Sequence, residues 1–386
     1  MPTADELLSA EEALTLACDM QRVAPDRDWE SISRTAAAFP DLGLRDRVTL
    51  VRDALLGALP ANYLESDRLI RAALSDSAFA GWRIWPLSEA IAVLATASSE
   101  PTDLQNGLEL TAALTSRLTC EFALRIFLNA NLDATLDAAL DWAGSTDEHV
   151  RRLASEGTRP LLPWAARVPA IRQNPSAALP ILDALRRDNS ESVRRSVANH
   201  LNDISRLDPD LAVATVAGWL KDPDEHTAKL ARHALRTLIK QGHRGALATM
   251  GFGSSEAITV EGPRLAAPQV AIGESLSFEA TLSNDSGTPV KVAVDYVIHF
   301  RKANGTQAPK VFKLTTRTLA AAEKLALTKS HSLRLITTRR YHEGAHALEI
   351  QVNGRRHGRV PFELVQPAAE PARPSVRADQ TFQPSG

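Results

Sequence analysis

The chain has 386 residues, 44 Lys and Arg against 46 Asp and Glu, and two cysteines. That length exceeds an ordinary single core, so two domains are the starting expectation. Cys18 and Cys120 lie far apart with no CxxC or Cys/His spacing, which excludes a disulfide framework and argues against structural zinc; no run of about 18 apolar residues offers a membrane span.

The start, "MPTADELLSAEEALTLACDM", is acidic where a secretory signal would be basic, so the cytoplasm is the expected compartment. The near-neutral total hides an asymmetry: residues 1–146 hold 11 Lys and Arg and 22 Asp and Glu, whereas residues 147–366 hold 31 and 22. A basic middle and end suit a polyanion, although charge alone does not separate nucleic acid from an acidic protein.

From the start to about Gly251, apolar residues recur at helical spacing, as in "AALTSRLTCEFALRIFLNANL" and "AKLARHALRTLIKQG". Three segments repeat: "DEHVRRLASEG" (147–157), "SESVRRSVANH" (190–200) and "DEHTAKLARHA" (224–234). Val150, Val193 and Thr227 superpose at offsets of 43 and 34 residues, a spacing that resembles HEAT repeats, stacked helix pairs forming a solenoid. Asp147, Ser190 and Asp224 are expected near the helix N-caps.

After "GFGSSE" the pattern changes to alternating apolar residues separated by turn signals such as Asn284-Asp285-Ser286-Gly287, Asn304-Gly305 and Asn353-Gly354. About seven strands in this stretch predict an immunoglobulin-like sandwich, without the cysteine pair of antibody domains. The expected fold is therefore multidomain: an all-α HEAT-like solenoid over 1–252, an all-β Ig-like sandwich over 257–366, and a Pro- and Ala-rich disordered tail over 367–386.

On a helix beginning near Asp147, Arg152, Glu156 and Arg159 share a face. In the repeats Arg152 aligns with Arg195 and Lys229, a stacked basic column suited to backbone phosphates. Glu156 aligns with Asn199 and His233, so the acid enters its column once. An exposed i,i+4 ion pair with Arg152 would account for it, but Arg before Glu is the poorer orientation, and Pro160, Pro163 and Trp164 end the helix directly afterwards. Glu121 interrupts an apolar stretch one repeat earlier, and Asp203 lies eight residues beyond Arg195, within reach of the same face. Each acid alone suits a structural role; three converging on a basic groove point to something cationic held there.

"VRRLASEGTRPLLPWA", "LPILDALRRDNSESVRRSVANHLNDIS" and "AKLARHALRTLIKQGHRGAL" together resemble the HEAT-like DNA glycosylases of alkylation repair. With the C-terminal Ig-like region the chain resembles the AlkC branch over residues 1–366. The resemblance implies release of cationic alkylated bases, chiefly 3-methyladenine with 3-methylcytosine as a further candidate, from double-stranded DNA, without a deep base pocket, cofactor or metal. It maps the family's active-site acid and neighbours onto Glu156, Glu121, Asp203 and Trp164. Glu156 is assigned to position water, Glu121 and Asp203 to stabilise cationic charge, and Trp164 to pack on the deoxyribose. An N3-alkylated base departs neutral and needs no general acid, so carboxylates acting by electrostatics and general-base action suit the chemistry.

Candidate phosphate contacts are Arg152, Arg159, Arg194, Arg195 and Lys229 in the helical region, and Arg339, Arg340, His342, Arg355 and Arg356 in the basic loops "TTRRYHEGAH" and "NGRRHGR". The expected protein is a monomer that contacts no membrane. The competing expectations are a non-catalytic HEAT/Ig scaffold and a DNA-binding protein without catalysis. No GxxxxGK[ST], HExxH or GxSxG motif is present.

Overall fold

A computed structural model describes residues 3–253, 255–335 and 340–367. Arg339 and nearly all of the expected tail lie outside the described residues. The chain divides into a unit ending at Leu238 and a second beginning at Ile239. Among the described residues no helix is long and apolar enough to cross a membrane.

The first unit is helical throughout, with a continuous apolar core running from Leu8 through Leu55, Trp85, Phe127 and Leu153 to Ile171. The repeat shows in the core columns and, at the helix starts, in two of its three members. Asp147 caps Glu148–Gly157 by accepting the amide of His149 at 2.8 Å. Asp224 accepts the amides of His226 and Thr227 at 3.0 and 2.8 Å ahead of Thr227–Ala234. Ser190 stands at the N-cap of Glu191–Ile204, yet its hydroxyl turns to Glu148 of the preceding repeat instead of capping its own helix. Val150, Val193 and Thr227 are buried in register, and three residues on so are Leu153, Ser196 and Leu230.

Three contacts set where the central helices sit. Gly157, the last residue of Glu148–Gly157, lies against Leu124 of Glu121–Ala130 so closely that a Cβ on it would stand 2.5 Å from Leu124 Cδ2. The paired arginines of the repeat then diverge: Arg151 forks onto Asp188 at 2.6 and 3.1 Å, while Arg152 reaches back toward Glu121.

The second unit carries β1 (Ile258–Leu265), β2 (Gln269–Ala271), β3 (Ser275–Asn284), β4 (Val290–Arg301), β5 (Gln307–Leu319), β6 (Lys324–Ser332), β7 (Gly344–Val352) and β8 (Arg355–Val365). They form a three-stranded sheet, β1-β3-β6, and a five-stranded sheet, β2-β8-β7-β4-β5. Leu276, Phe278, Ala280 and Leu282 of β3 share a core with Val292, Val294, Tyr296 and Ile298 of β4, which is the period-two alternation legible in the sequence. The described strands number eight where the sequence predicts about seven. The extra element is β2, three residues paired in parallel with β8 and too short to declare a pattern.

Asn353 and Gly354, with φ of 46° and 80°, form the two-residue turn joining β7 to β8 that their dipeptide predicts. The tip of that turn meets Gly242 backbone to backbone: a Cβ on Gly354 would lie 1.9 Å from the Gly242 Cα. Gln351 donates to the Lys240 carbonyl at 2.8 Å and Asn353 to that of Gly253 at 2.9 Å. Residues 239–252, helical as the sequence predicts up to Gly251, are thereby grouped with the sandwich.

Candidate active site

Glu156 sits in the last turn of its helix, 7% exposed, at the centre of a chain of alternating charges. Arg159 Nη1 donates to Glu156 Oε1 at 2.5 Å, and Arg159 Nε donates to Asp203 Oδ2 at 2.9 Å. On the other side, Arg152 Nη1 donates to Glu121 Oε2 at 3.2 Å, while Nη2 stands 4.0 Å from Glu156 Oε2. The order in space is Glu121, Arg152, Glu156, Arg159, Asp203. The three carboxylates named from the sequence are therefore brought together, and the two cations between them are what allows three acids to share so small a volume.

Helix ends create this arrangement. Glu121 opens Glu121–Ala130, Glu156 closes Glu148–Gly157 and Asp203 lies in the last turn of Glu191–Ile204, so three neighbouring helices each contribute one acid. Burial raises the carboxyl of Glu121 above its usual range, against the pull of Arg152 and with help from the charge of Glu156. Burial likewise raises Asp203, opposed by its bond to Arg159. Burial works against the charge of Arg159, but its bonds to Asp203 and Glu156 win and leave the guanidinium more basic than usual.

Arg159 and Arg152 depart from the phosphate-facing role predicted for them. Arg159 is 8% exposed and its fork is committed to two carboxylates, so it serves as an internal counterion. Arg152 is half-buried and spends Nη1 on Glu121 and Thr119. Arg195 is exposed; Lys229 is exposed and bonded to Glu191 at 2.8 Å; Arg194 is half-buried and donates to the Asp188 carbonyl. In the second unit Arg340, Arg355 and Arg356 are exposed and His342 is half-buried, with Arg356 standing 3.7 Å from Glu349.

Trp164 is 67% exposed and has φ of 62°, a left-handed conformation uncommon for a residue with a bulky side chain. The loop that presents it is tied down from beneath. Arg125, 1% exposed, donates to the carbonyls of Gly157, Arg159 and Ala166 at 3.0, 2.7 and 2.9 Å. Burial and the nearby charge of Arg159 pull its guanidinium down to about 10. Asn129 adds a bond to the carbonyl of Arg167 at 3.2 Å. Such strain persists where the surrounding structure over-determines it.

Sequence reasoning missed a polar group behind Glu156. Ser196 Oγ lies 2.6 Å from Glu156 Oε2 and 2.7 Å from Ser155 Oγ, and all three residues are buried. His200 Nδ1 meets the carbonyl of Ser155 at 2.9 Å, and burial holds that imidazole down at about 4, hence neutral. The signal was available: Ser196 occupies the column filled by Leu153 and Leu230, and His200 that filled by Gly157 and Ala234. Among the described residues no group of His, Cys, Asp and Glu is arranged to hold a metal ion.

Residues 259–366 match the family described as the C-terminal Ig-like domain of the uncharacterised protein YhaZ. The Bacillus subtilis (strain 168) protein YhaZ is 39% identical over 223 residues, which cover 58% of this chain. The match spans 62% of that relative's length. A solved structure of Pseudomonas fluorescens alkylpurine DNA glycosylase AlkC, bound to DNA containing an abasic-site analogue, is 34% identical with a TM-score of 0.84. That match covers 94% of this chain and 100% of the other.

Proposed function

The chain belongs to the AlkC family, and from that premise we propose that it is a DNA glycosylase releasing cationic N3-alkylated bases, 3-methyladenine foremost, from double-stranded DNA. The observation that carries this reading is the run Glu121, Arg152, Glu156, Arg159, Asp203, centred on a buried carboxylate. The exposed, conformationally strained Trp164 in the loop that follows that helix supports it.

Cleavage of the N-glycosidic bond of an N3-alkylated nucleotide moves positive charge from base to sugar. The base leaves neutral, so no proton donor is required, and the barrier lies in the oxocarbenium character of the sugar. Three acids against two contacting cations favour a further positive charge. Glu156, the central acid, positions and deprotonates the attacking water; Glu121 and Asp203 stabilise the developing charge from either side. Trp164 lends an apolar face to the deoxyribose. Exposed Arg195 and the basic loop residues Arg340, Arg355 and Arg356 meet phosphates, and the protein acts as a monomer.

The test is a base-release assay. Methylated duplex DNA incubated with the protein yields free 3-methyladenine well above spontaneous loss, whereas a duplex carrying a neutral lesion such as hypoxanthine yields none. A protein that binds the methylated duplex and releases no base is a scaffold or a catalytically silent DNA binder, and the reading is then wrong.

A further inference from the structure

We propose that Ser196, oriented by Ser155, is a positioning residue that fixes the carboxylate of Glu156. This rests on the glycosylase reading of the same site and goes beyond it by assigning the hydroxyl pair behind the central acid.

The polarity of the chain Ser155, Ser196, Glu156 follows from donor and acceptor inventory. An ionised carboxylate only accepts, so at 2.6 Å the Ser196 proton must point at Glu156 Oε2. The Ser196 oxygen then needs a donor on its other side. Ser155 Oγ stands 2.7 Å from it and 3.1 Å from the carbonyl of Arg152. Pointing the Ser155 proton at Arg152 would leave two hydroxyl oxygens facing each other with no proton between them. The Ser155 proton therefore serves Ser196, and all donors run toward Glu156.

This pair pins the carboxylate as a plane. Arg159 holds Oε1 and Ser196 holds Oε2, from different repeats, so rotation about the last side-chain torsion of Glu156 would break one bond or the other. The lone pairs that remain have a fixed direction, which is what positioning a water beside a sugar demands. A hydroxyl is the group that fits: with Arg159 on Oε1 and Arg152 4.0 Å from Oε2, a third cation at this point would over-neutralise the acid, and an apolar residue would leave Oε2 buried without its donor. Ser196 lies in a column whose other members are Leu153 and Leu230, where a hydroxyl adds nothing to packing. Ser155 is itself fully buried, and His200 holds its carbonyl, which fixes the turn from which its hydroxyl projects.

The experiment is a double-mutant cycle in single-turnover base release from methylated duplex DNA, with DNA affinity measured alongside. Ser196→Ala lowers the excision rate on the order of tenfold and leaves affinity within about twofold. In the Glu156→Gln background the same substitution changes the residual rate by less than about twofold, since the carboxylate it orients is gone. Ser155→Ala lowers the rate by a smaller factor, because Ser196 keeps its own proton on Oε2. A general packing role would lower both backgrounds equally, and equal losses overturn the proposal. An unchanged rate in Ser196→Ala overturns it too, while leaving the glycosylase reading intact. The glycosylase reading itself fails only if the unsubstituted protein releases no base.

Discussion

Glu121 is a charged group whose burial works against its ionised form. Burial raises its carboxyl, so folding favours the protonated form; the stability it contributes is complete below the ordinary carboxylate range and is lost as pH rises through the folded value. Glu121→Gln, which keeps an acceptor for Thr119, is accordingly expected to melt a few degrees above the unsubstituted protein at pH 7.5, with the difference closing toward pH 4, and to excise bases more slowly. A melting temperature lowered equally at both pH values would contradict this. Residue by residue, the sequence was legible where a side chain broke a column: Glu156 against Asn199 and His233. On an isolated helix the face carrying Arg159 looks solvent-directed, which is why the sequence alone points it at phosphates. Only the neighbouring helix, which brings Asp203 within 2.9 Å, turns it into a counterion.

At the scale of elements, the site depends on how closely Glu121–Ala130 and Glu148–Gly157 approach, and Gly157 is the reason they can. Gly157→Ala would place a Cβ 2.5 Å from Leu124 Cδ2 and 3.3 Å from Leu124 Cβ, too near the backbone for a rotamer change alone to relieve. The helices must separate, at a cost of about 1–3 kcal/mol. The expected outcome is a lower urea midpoint with an unchanged slope, together with slower excision as Glu156 moves away from Glu121. Full activity in a destabilised protein would show that the spacing of the two acids is not critical.

The link between repeats follows a rule that the alignment contains but does not explain. Arg159 bonds forward to Asp203, and one repeat later Asn202, which aligns with Arg159, is bonded by Thr237, which aligns with Asp203. The same stitch is ionic at the site and neutral beyond it. Caps and turns, being local, were readable: Asp147, Asp224, Asn353 and Gly354 all fall where their chemistry places them. The three-residue β2 and the outward turn of Ser190 depend on partners distant in sequence and were not.

Across the whole molecule, charge changes sign along the chain, acidic before residue 147 and basic after it. If both units meet the duplex, Arg195→Glu in the first and Arg355→Glu in the second each weaken binding, and each reduces the slope of log affinity against log salt by about one. An unchanged slope for Arg355→Glu would make the sandwich a spectator at that position. The two-part architecture was readable from the switch between helical and alternating periodicity. The assignment of residues 239–252 was not, because it rests on Gly242 meeting the Asn353-Gly354 turn more than a hundred residues away.

In the proposed reaction the buried carboxylate of Glu156 acts on bound DNA. Single-turnover base release and duplex affinity, measured side by side for the unsubstituted protein and Glu156→Gln, decide that role. The variant is expected to keep affinity within about threefold and to excise at least about a hundredfold more slowly. A variant that excises 3-methyladenine as fast as the unsubstituted protein would contradict it.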